Sequence, residues 1–183
     1  LESGEIHISR AARQTTYPAA FQLIAAMNPC PCGYLGHTKK TCRCTPDQII
    51  RYQSRLSGPF LNRIDMQIEV PAVQASDLNK LPAGESSAVV AERVEHAFKR
   101  QIERQGCVNA RLSVKQLDAH ATPDERGHSV LTKAMNQLNW SARVYHRVLR
   151  VARTVADLEG AKQVTASHIA QAIQYRRGLL SET

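Results

Sequence analysis

Polar and apolar residues alternate over Glu5–Ile8 and again approaching Tyr17, which predicts a β-hairpin with an Arg-rich tip between the two stretches. Phe21 to Met27 (FQLIAAM) is an almost unbroken apolar run of strand length. That pattern fits a strand covered on both faces in a parallel sheet, with a ligand site just past its carboxyl end, where Asn28 sits. Thr45 followed by Pro46 predicts a capped helix carrying Ile49, Ile50 and Tyr52, and Gly58-Pro59 then breaks the chain. From Ile64 to Val70 (IDMQIEV) the alternation is clean, with Ile64, Met66, Ile68 and Val70 on one side, and predicts a second strand.

Pro, Ala, Ser and Gly dominate from Pro71 to Ser87, and no strand pattern recurs beyond. The first helix there is expected over about Ser87 to Gln105, with Val90, Val94, Phe98 and Ile102 on one stripe and Gly106 behind it. A short helix follows near Ser113 to His120. Thr122, Pro123 and Glu125 have the spacing of a capping box for the next. Ser141 opens a helix with Val144, Val148, Val151, Val155 and Leu158 at heptad-like steps, closed by Gly160. Thr165 caps a last one with Ile169, Ala172 and Ile173, ended by Gly178. The expected architecture is α/β plus all-α: an α/β part over residues 1–72, a linker over 73–86 and a helical domain over 87–183. Two strands and a hairpin cannot close a parallel sheet, because each parallel neighbour requires its own crossover, so the chain reads as the carboxyl-terminal part of a larger protein.

Length changes this picture little: 183 residues suffice for one good core and a small appendage. The longest apolar stretch is far below the ~20 residues of a spanning helix, and nothing near Leu1 resembles a signal peptide. A soluble, cytoplasmic protein is the expectation. The net charge of +8 is unevenly spread. Between Arg10 and Arg55 seven Lys or Arg face one acid, Asp47, a basic concentration suited to a polyanion such as nucleic acid; a solvated basic surface without a partner is the plainer alternative.

Cysteine changes it more. Four of the five cysteines (Cys30, Cys32, Cys42, Cys44) fall within fifteen positions as two Cys-x-Cys pairs separated by nine residues. Such clustering is unlike the disulfide framework of a secreted domain and suits a tetrahedral thiolate site for zinc, although the usual pair spacing is longer. His37 is a substitute ligand, and Gly33 and Gly36 permit tight turning between the pairs. A reduced metal-free loop and disulfides bridging the two pairs are the alternatives. Cys107, isolated, is read as incidental.

The segments FQLIAAMNPCPCG, LSGPFLNRIDMQIEV and SARVYHRVLRVARTVADLEG, in that order, resemble the carboxyl-terminal part of an AAA+ ATPase of the magnesium-chelatase-like group, and within it the ComM/YifB family. The resemblance covers essentially the whole chain. It implies the end of a parallel-sheet P-loop AAA+ core followed by a helical lid, in a cytoplasmic hexamer that uses ATP and Mg²⁺ to move DNA strands as a branch-migration helicase in natural transformation. By match, Asn28 is sensor 1, an amide suited to a phosphate oxygen and a water. Arg63 is the arginine finger, with Arg55 as its competitor and an ion pair to Asp65 or Asp47 as the plainer role. Arg143 is sensor 2, at a helix start where an arginine suits a phosphate better than it suits the helix. Arg147, Arg150 and Arg153 read as a solvated face or subunit contact.

The hairpin corresponds to an insertion pointing into the hexamer channel, making Arg10 and Arg13 phosphate-contacting candidates; Lys39, Lys40 and Arg43 are DNA-touching candidates on the Cys loop. No Gly-x-x-x-x-Gly-Lys-Ser/Thr occurs. The P-loop is expected upstream, and this piece alone is expected to be inactive. Two other readings remain: a magnesium-chelatase ATPase subunit, or a zinc-stapled nucleic-acid-binding module without enzyme activity.

Overall fold

A computed structural model describes residues 4–10, 13–71 and 84–176. It divides into two compact units, Leu1–Arg63 and Ile64–Thr183.

The first unit opens with the expected hairpin. Strands β1 (Glu5–Arg10) and β2 (Arg13–Pro18) run antiparallel, with Ile6 opposite Tyr17 and Arg10 opposite Arg13. The Ala19 N–H closes the base by donating to Gly4 O at 2.7 Å. A loop containing the cysteines leads to helix α1 (Pro46–Gln53). Its amino terminus is held by Thr45 and Gln48, each side chain reaching the other's backbone N–H, with Pro46 in the first turn. Helix α2 (Gly58–Leu61) is a single turn capped by Ser57. Cys30 is the one buried residue among those described in this unit. It therefore has no apolar core to organise it.

Two sequence expectations fail here. Phe21–Met27 and Ile64–Val70 join no strand ladder. Their apolar side chains lie open, Ile24 at 84% and Val70 at 85% exposure. A β-strand is a relation between neighbouring segments: without adjacent strands to take its N–H and C=O groups and cover its faces, the apolar pattern has nothing to pair with.

The second unit is helical. Helix α3 (Ser87–Gln105) starts at the Ser86 cap and ends at Gly106, whose φ of 72° is the left-handed conformation that closes a helix. A 3-10 turn (Asn109–Arg111) precedes α4 (Val114–His120), which has a reciprocal Ser113–Gln116 cap. Helices α5 (Glu125–Gln137), α6 (Ala142–Leu158) and α7 (Ala166–Gln174) complete it. Helix α6 is central: Val144, Val148, Leu149, Ala152, Val155 and Ala156 are buried against α3, α4 and α7, so it is apolar around most of its girth.

Three boundaries and faces depart from the sequence reading. Helix α5 is capped by Asp124, whose Oδ1 accepts the Gly127 N–H at 2.6 Å, and not by Thr122. Thr122 instead donates to Asp118 O at 2.6 Å, finishing α4. Helix α7 ends at Gln174, ahead of Gly178, which lies outside the described residues, as does most of the expected linker. On α3 the stripe Val90, Val94, Phe98 and Ile102 faces outward, Phe98 at 49% exposure. Its buried residues are small Ala97 and polar Gln101, whose Oε1 accepts the Asn109 N–H of the 3-10 turn at 2.8 Å, and its hydrogen bonds to α6 run from Arg100 and Arg104 to Asp157.

Candidate metal centre and nucleotide-sensing residues

The organised centre of the first unit is its thiols. Gly33 and Gly36 take φ of 79° and 76°, the left-handed conformation that lets the chain double back between the two Cys-x-Cys pairs. The Gly33 N–H donates to Cys30 O at 3.0 Å, tightening the first turn. The Sγ atoms of Cys30, Cys32, Cys42 and Cys44 all lie within 4.8 Å of one another. Three of the separations are 3.4, 3.7 and 3.5 Å. Four sulfurs about 2.3 Å from one zinc ion stand about 3.8 Å apart at the corners of a tetrahedron, so the donor set fits zinc in number, softness and spacing. All four thiols are free, with Cys30 buried and the others half-buried.

The electrostatics of the loop are uneven. Backbone N–H groups of Arg43 and Tyr34 draw the Cys32 thiol down to about 6, the thiolate form that a metal needs. Desolvation, together with the neighbouring thiols, pushes Cys44 up to about 12; a bound cation removes that penalty by neutralising the shared charge. His37 is no ligand here. Its Nδ1 accepts the backbone N–H groups of Lys39 (2.9 Å) and Lys40 (3.1 Å), which shapes the loop instead. Around the thiols, Cys32, Tyr34, Lys40, Thr41 and Arg43 line a shallow recess, with Lys40 Nζ 4.9 Å above the Tyr34 ring. Lys39 and Arg43 are exposed beside it.

Asn28 follows the irregular apolar stretch and is exposed, its amide lying over Gly33. Pro29 O accepts from Gln53 Nε2 at 3.1 Å, which ties α1 to this loop. Arg63, half-buried, donates from Nη1 to Pro59 O at 3.2 Å and so curls back over α2. Arg55 lies exposed in the turn after α1. Arg143 belongs to the second unit, exposed in the first turn of α6. Arg10 and Arg13 stand opposite each other at the hairpin tip, both exposed, a like-charge pairing that a polyanion relieves.

The arginines after Arg143 are not a solvated face. Arg147 is buried and pairs with Asp65. Arg150 donates to Leu112 O from Nε at 3.2 Å and Nη2 at 2.7 Å. Arg153, 1% exposed, donates to Lys162 O and Ala161 O at 2.9 and 2.6 Å and pairs with Asp157 at 3.0 Å. Helix α6 is enclosed on nearly every side, and these long side chains reach loop carbonyls that would otherwise be orphaned. Asp65, read from the sequence as an ion-pair partner for Arg63, pairs with Arg147 instead, while Arg63 donates to Pro59 O.

Two family descriptions match the chain: "Magnesium chelatase, subunit ChlI" over residues 1–78 and "Magnesium chelatase, subunit ChlI C-terminal" over residues 84–176. The chain belongs to the magnesium chelatase subunit ChlI family. Its two matched segments are magnesium-chelatase-like AAA+ domains, and the resemblance read from the motifs holds. Competence protein ComM of Haemophilus influenzae is 48% identical over 96% of this chain and 34% of its own length. The uncharacterized protein YifB of Salmonella typhimurium is 44% identical over 96% of this chain and 35% of its own. An uncharacterized Mycobacterium tuberculosis protein, Rv2897c, is 33% identical over 97% of this chain and 35% of its own. The chain thus spans about a third of the length of the curated relatives it matches. Among the described residues no helix is long and apolar enough to cross a membrane.

Proposed function

We propose that this chain is the carboxyl-terminal part, from sensor 1 to the lid, of a cytoplasmic hexameric AAA+ ATPase that uses ATP hydrolysis to drive DNA branch migration in natural transformation. The observation that carries the reading is the 48% identity to a competence protein along 96% of the chain; the paired arginines at the hairpin tip add to it. In this reading residues 1–72 end the AAA+ core, 73–86 link, and 87–183 form the lid.

Nucleotide and Mg²⁺ supply a γ-phosphoryl group with a charge-compensating cation. Asn28 and Arg143 are both exposed and so accessible to a phosphate. Asn28 orients phosphate and water through its amide, Arg143 meets the γ-phosphate of its own subunit, and Arg63 offers a planar fork to the nucleotide of the next. Arg10, Arg13, Lys39, Lys40 and Arg43 contact DNA phosphates. Zinc, held by Cys30, Cys32, Cys42 and Cys44, staples the first unit.

Titrating the full-length protein's ATPase with DNA tests the reading. Stimulation by DNA is expected, and no stimulation by any DNA overturns the motor. Arg63→Ala is expected to lower turnover about a thousandfold; unchanged turnover removes the arginine-finger role. The family descriptions favour a second reading, a magnesium-chelatase ATPase subunit, which DNA-independent ATPase stimulated by a porphyrin-chelatase partner would support. The thiol cluster supports a third, a zinc-stapled nucleic-acid-binding module; DNA binding by a full-length protein devoid of ATPase would favour it.

A further inference from the structure

The thiol loop holds an aromatic ring at its surface, that of half-buried Tyr34, in a unit that offers it no apolar core to pack into. The His37 N–H donates to Tyr34 O at 3.2 Å, closing a turn in which Gly36 supplies the left-handed residue, φ 76°. The Tyr34 N–H and the Arg43 N–H both bond to the Cys32 sulfur, so the spacing of ring and guanidinium along the loop is set by one anchor. The ring meets His37 edge to face, with 5.7 Å between centroids at 74°. His37 is fixed in turn by the Lys39 and Lys40 N–H groups at its Nδ1. One face of the ring carries the ammonium of Lys40, an exposed side chain, at 4.9 Å from the centroid, and Lys40 Nζ also donates to the Tyr34 hydroxyl at 3.4 Å. Exposed Thr41 and Arg43 complete the recess on which the ring borders.

We propose that Tyr34 is a stacking platform for an unpaired base of single-stranded DNA, with Lys40 and Arg43 taking the flanking phosphates. The inference rests on the reading of the protein as a DNA motor, and it names the form of DNA that the thiol loop takes. A ring clamped at its edge, with cations beside it, is the arrangement on which the bases of a single strand stack, because every base has a face to offer. In a duplex those faces are already stacked on one another, so only the cations of the loop have anything to bind. An ammonium over an exposed ring is held less tightly than a stacked base. The base therefore displaces Lys40 Nζ, and the long, exposed lysine side chain turns to a phosphate.

The test uses the full-length protein and an oligodeoxynucleotide of about 12 nucleotides, single-stranded or paired with its complement, carrying aminopurine, a base analogue whose fluorescence is quenched when it stacks. Tyr34→Ala should raise the Kd for the single strand about 5- to 150-fold and abolish the added quench, the worth of one stacked base. Its Kd for the duplex should stay within about twofold, and the slope of log K against log salt should not move, since no cation is lost. Tyr34→Phe, which keeps the ring, should retain both affinity and quench. Lys40→Ala should instead lower the slope for the single strand by about 0.7. If the unaltered protein binds the single strand and Tyr34→Ala binds it equally well, the platform is overturned and the motor reading stands. Equal weakening for single strand and duplex, or a Tyr34→Phe as poor as Tyr34→Ala, marks the ring as a mere support of the loop and also overturns the platform. Failure of the unaltered protein to bind either oligonucleotide overturns the motor reading, and the inference with it.

Discussion

At the scale of single residues the second unit is held by one buried carboxylate. Asp157, 1% exposed, receives Arg104 Nη1 at 2.5 Å, Arg104 Nη2 at 3.0 Å and Asn109 Nδ2 at 2.8 Å, and pairs with Arg153 at 3.0 Å. Its backbone carbonyl accepts from Arg100 at 2.6 Å, so α3, the 3-10 turn and α6 meet in this side chain. Removing the charge leaves two guanidinium groups facing each other in the interior. Asp157→Asn should therefore cost roughly 3–5 kcal/mol of stability, read by denaturant unfolding. Burial pushes the Asp157 carboxyl up, but the bonds from Arg104 and Asn109 and the charge of Arg153 outweigh it and hold it below the usual carboxylate range. A depressed folded value gives stability that is full above the unfolded value of about 3.9 and is lost as pH falls through the folded one. Unfolding free energy should thus decline below about pH 4, and Asp157→Asn should flatten that part of the profile; an unchanged acid limb would show that other carboxylates govern it.

At the scale of elements, Gly127 shows why a helix start can tolerate only one residue. A Cβ there would lie 2.8 Å from Asp124 Oδ1, 2.9 Å from Pro123 Cβ and 3.3 Å from Ala166 N. Alanine normally favours a helix over glycine by up to about 1 kcal/mol, yet here it would dislodge the cap of α5 and press on α7. Gly127→Ala should destabilise by about 1–3 kcal/mol in thermal or denaturant melts, where an exposed helical glycine would gain. The Cys loop poses the complementary case, an element with almost nothing but its thiols to hold it. Reduced, freshly purified protein should contain about one zinc per chain, with four thiols protected until chelation. Chelation should also loosen α1, through the Pro29–Gln53 contact, in hydrogen exchange. Five free thiols without metal would refute the centre. The hairpin, α1, α3, α4, α6 and α7 were legible because caps and period are local signals. The segments 21–27 and 64–70 carry the local pattern of a strand and yet form none, since the partners a strand requires are non-local. The thiol set could be named from its spacing, whereas the turning-aside of His37 depends on backbone N–H groups that no spacing reveals. The burial of Arg147 and Arg153 and the hold of half-buried Arg150 on Leu112 O likewise depend on what surrounds α6, so a helical wheel alone mistakes them for a wet face.

At the scale of the whole molecule, charge and structure divide differently between the two units. The described first unit has one buried residue and carries the concentrated positive charge from Arg10 to Arg55, whereas the second holds its buried arginines against carbonyls and carboxylates. Cations already satisfied inside a fold release no counterions when a polyanion approaches; exposed ones do. On the proposed reading as a DNA motor, DNA affinity of the full-length protein should therefore fall steeply with salt, and the slope should belong to the first unit. Replacing Arg10 and Arg13 together with alanine should reduce the slope of log K against log salt by about 1.4–1.8, since each phosphate contact contributes about 0.7–0.9. Basal ATPase without DNA should hardly change. Arg150→Ala, at a half-buried arginine of the second unit, should lower stability without altering the slope in protein that remains folded, because its guanidinium is engaged with Leu112 O. Fluorescence anisotropy with a labelled oligonucleotide between 50 and 300 mM salt, about the range over which counterion release dominates, measures both slopes. An unchanged slope in the hairpin variant would move the DNA contact off the tip, leaving Lys39, Lys40 and Arg43 around the thiol loop as the surface to be tested by the same measurement.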